Sequence, residues 1–223
     1  MTDPEPYLIF ANRGDIRRVD MTGKDYRLVV RSPGGATATA VDFHWAQGRV
    51  VWADVGAVRS ARLTDGGDVR LLASGPPGSR LGGLAVDWTG RLYWTDAGAA
   101  RIYVSRLDGA HRKTLIWRDL HKPRALVVHP LIAAMFWSDW GASPRIERAA
   151  MDGSGRRAIV SSRLAWPNGL AIDLPAERLY WADAKHHIIE SAGLDGQNRR
   201  RVLDSGTSLS LDVSFRSEEF GIE

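Results

Sequence analysis

The sequence predicts an all-β fold of stacked four-stranded sheets, a β-propeller. Three observations predict it. The tetrads Val51-Trp52-Ala53-Asp54, Tyr93-Trp94-Thr95-Asp96, Phe136-Trp137-Ser138-Asp139 and Tyr180-Trp181-Ala182-Asp183 stand in register, with spacings of 42, 43 and 44 residues. Each tetrad sits inside a unit of four short alternating runs, the size of one propeller blade. The chain also holds 9 Trp and 23 Gly among 223 residues without helical periodicity, which favours short strands and tight turns.

The elements follow in order. The first strand of each unit is an apolar run: Ala40-Val41-Asp42-Phe43, Leu84-Ala85-Val86-Asp87-Trp88, Leu126-Val127-Val128-His129 and Leu170-Ala171-Ile172-Asp173. The tetrads form the second strands. A third strand follows, such as Arg101-Ile102-Tyr103-Val104. The turns Leu107-Asp108-Gly109, Met151-Asp152-Gly153 and Leu194-Asp195-Gly196 come next, because Gly accepts a positive φ freely. Lys113–Ile116, Arg157–Val160 and Arg200–Leu203 close three units as fourth strands. Tyr7-Leu8-Ile9-Phe10 is a degenerate earlier tetrad.

This divides the chain into an N-terminal tail over 1–6, a partial blade over 7–31, and full blades at about 36–73, 80–117, 122–161 and 166–204. Residues 208–213 read as the first strand of a further blade, and 214–223 as a divergent tail. A lone sheet cannot bury both faces, but stacked blades can. Trp52, Trp94, Trp137 and Trp181 are therefore expected between sheets. Asp54, Asp96, Asp139 and Asp183 recur once per blade, so they are expected to hydrogen-bond backbone rather than to catalyse.

Composition narrows the function. With no Cys, disulfide scaffolds, zinc-thiolate sites and Cys nucleophiles are excluded. The net charge is +4, but Arg and Asp are interspersed, which argues against a nucleic-acid patch. No apolar run reaches the roughly 18 residues of a membrane span, and the opening Met1–Tyr7 does not read as a signal peptide. Metal, nucleotide and hydrolase motifs are absent. Thr64–Asp68 reads as a turn rather than a calcium loop. Asp42, Asp87 and Asp173, with His129 in the fourth slot, fall at matching strand positions and could line a channel metal site, but their repetition favours a structural role. His186 and His187 are expected side by side on a strand edge, pointing to opposite faces. No metal, cofactor or catalytic residue is expected.

Antiparallel geometry points to a binding face. The start of strand one and the end of strand two lie at the same end of a blade. Arg124 and Asn168 belong to the first group; Arg13, Trp140, Lys185 and His187 belong to the second. Arg, Trp and Asn on one rim suit a protein-binding hot spot. The Asp-Gly turns with Asp108, Asp152 and Asp195 lie at the other end, where substitution is expected to be tolerated.

Nearly the whole chain, from Tyr7 to about Asp204, resembles the YWTD (class B) propellers of the low-density lipoprotein receptor and its relatives. The tetrads carry the resemblance, with Phe10-Ala11-Asn12-Arg13, Lys122-Pro123-Arg124-Ala125, Ser138-Asp139-Trp140-Gly141, Pro144-Arg145-Ile146-Glu147-Arg148, Trp166-Pro167-Asn168-Gly169 and Ala184-Lys185-His186-His187. The detail is most similar to the first propellers of the Wnt co-receptor and agrin-receptor type. The resemblance implies a six-bladed architecture, of which about one blade is missing at the C-terminal end.

It also implies an extracellular, ligand-binding part of a cell-surface receptor, not an enzyme. The implied partners are protein ligands, with an Asn-x-Ile loop as a candidate feature, and EGF-like modules in a longer parent. No nucleic acid and no direct membrane insertion are implied. Positions similar to Arg13, Arg124 and Asn168 contact such loops in the family. The Trp140 position lies in an aromatic patch, and the His187 position resembles one that contributes to acid-triggered ligand release. Acidic rim positions of the co-receptor type read here as Ala36, Thr37, Val58, Gly82 and Gly98, which predicts a more cationic face. The alternatives are a lactonase- or esterase-like propeller with a channel metal, and a truncated fragment without function.

Overall fold

A computed structural model describes residues 6–204. The expected strand at 208–213 and the tails at 1–5 and 214–223 lie outside the described residues. Five antiparallel sheets follow one another along the chain, each a simple meander. Sheet 1 has three strands, β1 (Tyr7–Asn12), β2 (Asp15–Asp20) and β3 (Tyr26–Arg31). Sheet 2 comprises β4 (Ala40–His44), β5 (Arg49–Asp54), β6 (Ala57–Arg62) and β7 (Arg70–Ser74). Sheet 3 comprises β8 (Leu81–Val86), β9 (Arg91–Asp96), β10 (Arg101–Arg106) and β11 (Lys113–Ile116). Sheet 4 comprises β12 (Pro123–His129), β13 (Ala134–Asp139), β14 (Arg145–Ala150) and β15 (Arg157–Val160). Sheet 5 comprises β16 (Pro167–Asp173), β17 (Arg178–Asp183), β18 (Ile188–Gly193) and β19 (Arg200–Asp204). This is the predicted all-β blade architecture, with five sheets described where the family resemblance implies six.

The chain forms two compact units that divide between Thr114 and Leu115. In the first, Trp52 packs with Ile16, Val30 and Ala61 between sheets 1 and 2. Trp94 packs with Val51, Val58 and Leu72 between sheets 2 and 3. In the second, Trp181 packs with Phe136, Ile146 and Val160 between sheets 4 and 5. Alternation explains this: the tetrads' flat apolar faces are covered only when a second sheet lies against them. Trp52, Trp94, Trp137 and Trp181 are all at most 1% exposed.

Each tetrad Trp faces one residue on the third strand of its sheet, Glu in two sheets, Tyr in one and Arg in one. Trp137 pairs in register with Glu147, Trp181 with Glu190, Trp94 with Tyr103 and Trp52 with Arg59. Buried Glu147 requires cations. Arg156 meets it at 2.6 Å and Arg145 at 2.6 Å, while the Arg156 guanidinium lies 5.6 Å from the Trp137 ring centroid. Sheet 5 repeats the device with Arg199, Glu190 and Trp181. In sheet 3 the stacked pair Trp94–Tyr103 takes Arg112 over its rings instead, with no carboxylate.

Several expectations are corrected by register. Asp42 is paired with Val51, whereas the residue opposite Tyr93 is Ala85 and that opposite Tyr180 is Ala171. Asp42 is therefore not equivalent to Asp87 and Asp173. The residue ending β4 is His44, and it sits opposite Arg49 as Asp173 sits opposite Arg178. Asp87 accepts the N–H groups of Thr89 and Arg91, Asp173 accepts that of Ala176, and His44 Nδ1 accepts that of Gln47. Each of these side chains closes its own hairpin. Asp42-Phe43 looks like Asp87-Trp88 in sequence, but pairing places it two positions earlier in its strand.

The Asp-Gly turns are also less permissive than expected. Asp108, Asp152 and Asp195 each cap their own turn by accepting a backbone N–H, from Ala110, Ser154 and Gln197. A Cβ on Gly109 would lie 2.5 Å from the Leu72 carbonyl oxygen, and one on Gly196 would lie 2.0 Å from that of Ile159.

Candidate functional site

The site in the second unit is assembled by two carboxylates from the tetrads. Asp139 is 1% exposed and accepts the backbone N–H groups of His121 at 3.0 Å and Lys122 at 2.7 Å. Arg145 approaches it at 3.3 Å. Asp183, also 1% exposed, accepts N–H groups from Ala165 at 2.7 Å and Trp166 at 3.1 Å, and from Lys185 and His186 at 3.2 Å each. The strand ends are tied directly too: Trp140 N–H donates to the Lys122 carbonyl and Ala184 N–H to that of Trp166. The segments before β12 and β16 are thereby locked to those after β13 and β17.

On this frame four side chains form a continuous row. The Arg124 guanidinium lies over the half-buried Trp140 ring, 4.7 Å from its centroid. Trp140 meets Trp166 edge-on, with centroids 5.9 Å apart and planes at 65°. The exposed Lys185 ammonium sits 5.8 Å from the Trp166 centroid. Cations over indole faces are attracted by the ring quadrupole, and edge-on rings complement one another's partial charges. Trp166 is 47% exposed, so the row presents an apolar surface flanked by charge.

Arg124 and Asn168 do not precede their strands as expected. Each lies inside one, at the bulge between Pro123 and Leu126 and between Pro167 and Gly169. A bulge re-aims side chains at a strand end. Among the described residues, the Asn168 amide oxygen and the Trp140 indole N–H have no hydrogen-bond partner.

His186 and His187 lie in the β17–β18 turn rather than on a strand, and His187 has a φ of +57°. The imidazole that meets a carboxylate is that of His186, with Nδ1 3.3 Å from Asp183 Oδ2. Arg13 lies in the first unit, exposed in the β1–β2 turn with a φ of +55°, beside an open depression lined by Asp15, Arg31 and Gly35. Of the neutral rim positions, Val58 is wrong: it is fully buried in the core between sheets 2 and 3. It follows a two-residue turn on a strand whose first residues already face inward.

Sequence reasoning missed Trp166 as a surface partner of Trp140. The signal was available: Trp166 precedes Pro167 at the position Lys122 holds before Pro123, so an exposed aromatic stands where another blade has Lys. Among the described residues no group of three or more His, Cys, Asp or Glu side chains is placed to hold a metal ion.

The model of the low-density lipoprotein receptor repeat class B matches residues 90–130, 134–174 and 177–206, just over half of the chain. The chain belongs to this family. A human low-density lipoprotein receptor-related protein 5-like protein is 39% identical over 70% of this chain and 63% of its own length. The vitellogenin receptor Yl of Drosophila melanogaster is 34% identical over 91% of this chain and 10% of its own length. The chain thus spans less than two thirds of either relative.

A chain in the crystal structure of the nidogen/laminin complex superposes with a TM-score of 0.80 at 29% identity, covering 87% of this chain and 76% of that one. A gluconolactonase from Xanthomonas campestris has a TM-score of 0.64 at 24% identity over 89% of this chain and 71% of its own, a likeness of fold alone. The class B fold is therefore a propeller fold that different chemistries share, and function must be argued from the site.

Proposed function

We propose that this class B chain is an extracellular propeller of a lipoprotein-receptor-related cell-surface receptor, and that it binds protein ligands. The observation that carries the reading is the row Arg124–Trp140–Trp166–Lys185. Trp and Arg are the residue types that dominate binding energy at protein interfaces, and here Trp166 and Trp140 are anchored through their backbone N–H groups to Asp183 and to the Lys122 carbonyl. Trp140 and Trp166 would cover an aliphatic ligand side chain. Arg124 would hold a carboxylate or carbonyl oxygen. The Asn168 amide can both donate and accept, which matches a ligand amide. His187 beside Lys185 would add to this binding surface, and Arg13 is a separate candidate contact in the first unit.

The finer reading, by resemblance, is a Wnt-pathway or agrin-like ligand presenting an Asn-x-Ile loop. The names of two relatives as receptors support the class. Titration of the purified chain with a cyclic peptide carrying that loop tests it. Binding should weaken by about 2 kcal/mol in Asn168→Ala and in Trp140→Ala. Equal affinity in both variants, with loss from Asp108→Ala or Asp152→Ala instead, would move the site to the opposite end of the strands.

A further inference from the structure

The connections that share the site's end of the second unit carry an unusual charge balance. They are the segments 117–122, 140–144, 161–166 and 184–187. Together they hold Arg118, Lys122, Arg163 and Lys185, with His121, His186 and His187, against a single acid, Asp119. Arg124 adds a fifth cation. The acids that lie close by among the described residues are already engaged. Asp139 and Asp183 are buried under backbone N–H groups, and Asp204, ending β19, pairs with Arg201 at 2.7 Å. The equivalent connections of the first unit, 13–14, 32–39, 55–56, 75–80 and 97–100, contain Arg13 and Arg80 and no aromatic residue. Cations and exposed indoles therefore coincide in the second unit.

We infer that this surface selects an acidic peptide segment in which carboxylates alternate with apolar side chains. This rests on the protein-binding reading above and names the chemical class of its partner. Arg124 and Lys185 bracket the two indoles, so an apolar side chain seated on Trp140 and Trp166 brings flanking carboxylates to the two cations. A peptide bond offers both a carbonyl and an N–H. The Trp140 indole N–H and Asn168 amide oxygen are a matching donor and acceptor that the described residues leave unpartnered. Both atoms are covered in the free protein, so they pair with main chain only after a small rotation of their side chains. A sulfated polysaccharide would satisfy the cations but not the indoles, and a basic peptide would meet repulsion at both ends of the row.

Three synthetic peptides test this with the whole chain: Leu alternating with Asp and Glu, Leu alternating with Lys, and Leu alternating with Ser. The acidic peptide should bind at least about tenfold more tightly than the other two. Lys185→Glu and Trp166→Ala should each cost it about tenfold or more, and Trp166→Phe less. Arg80→Glu in the first unit should leave it unchanged. Lys185 and Trp166 are exposed, so unchanged melting curves will show that these variants fold. Equal binding of all three peptides that still depends on Trp166 would overturn the charge class and leave the protein-binding reading standing. Acidic-peptide binding that is indifferent to Trp166→Ala and is matched by a heparin oligosaccharide would reduce the surface to a polyanion patch and overturn the inference. Binding of none of the peptides would overturn both.

Discussion

Asp183 accepts the backbone N–H of Trp166 at 3.1 Å, and the same carboxylate accepts that of Lys185 at 3.2 Å. The repeated structural acid thus aims two of the four side chains in the cation–aromatic row. Its role is to hold two segments together where two strands of one sheet end. Asp183→Ala should therefore act twice. It leaves several N–H groups in a buried setting without their acceptor, at about 3 kcal/mol or more. It should also loosen ligand binding although Asp183 is itself buried. Urea midpoints and peptide titration of one variant measure both effects. Weakened stability with unchanged binding would detach the acid from the site.

The charged lining of Trp137 has its own signature. Removing Glu147 takes away the carboxylate that Arg156 meets and one of the two that Arg145 meets, so Glu147→Ala should cost about 3 kcal/mol. A Glu147→Ala variant as stable as the parent would contradict the buried network.

Acid should destabilise the second unit in two stages. Burial pushes His129 below its usual 6.5, with Arg148 assisting and Glu177 opposing. A depressed histidine lets the unfolded chain take up protons first. Its stability contribution is complete above about pH 6.5 and is lost as pH falls below it. Burial by itself would raise Glu147, but Arg156 and Arg145 outweigh it and hold the carboxyl below its usual 4.5. That contribution is present above about pH 4.5 and declines as pH falls through the folded value. Melting temperatures between about pH 8 and pH 2 should show His129→Asn flattening the first stage only.

Trp94→Ala should cost about 3–5 kcal/mol, since it removes an indole that fills the space between sheets 2 and 3. Trp137→Ala should cost a similar amount and in addition expose Arg156 and Glu147. Urea midpoints equal to that of the parent would contradict the packing role of the tetrads.

Gly196→Ala should be more harmful than Asp195→Ala. Gly196 has a φ of +88°, and its added Cβ would collide with the Ile159 carbonyl. Asp195→Ala removes one exposed cap on Gln197 N–H, worth about 1 kcal/mol. A thermal melt ranks them, and the reverse order would contradict the close approach of the turn to sheet 4.

The sequence by itself determined the blade. Period-2 alternation and a fixed tetrad spacing specify strands, their order and which aromatics must be covered, because those properties are local and repeat. It also placed Arg124, Trp140, Asn168 and Lys185 at the ends of strands that antiparallel pairing brings together. Tertiary structure decided what repeats cannot express. Register is set by pairing across the hairpin, which puts Asp42 opposite Val51, two positions before the strand end that His44 shares with Asp87 and Asp173, although the sequence contexts match. The charged lining of Trp137 is set by a residue 10 positions further along, Glu147, whose neighbours Arg145 and Arg156 look like ordinary surface arginines until the sheet pairs. The edge-on contact of Trp140 with Trp166 joins adjacent sheets, and contact between sheets follows from packing faces together, which no spacing along one strand reveals.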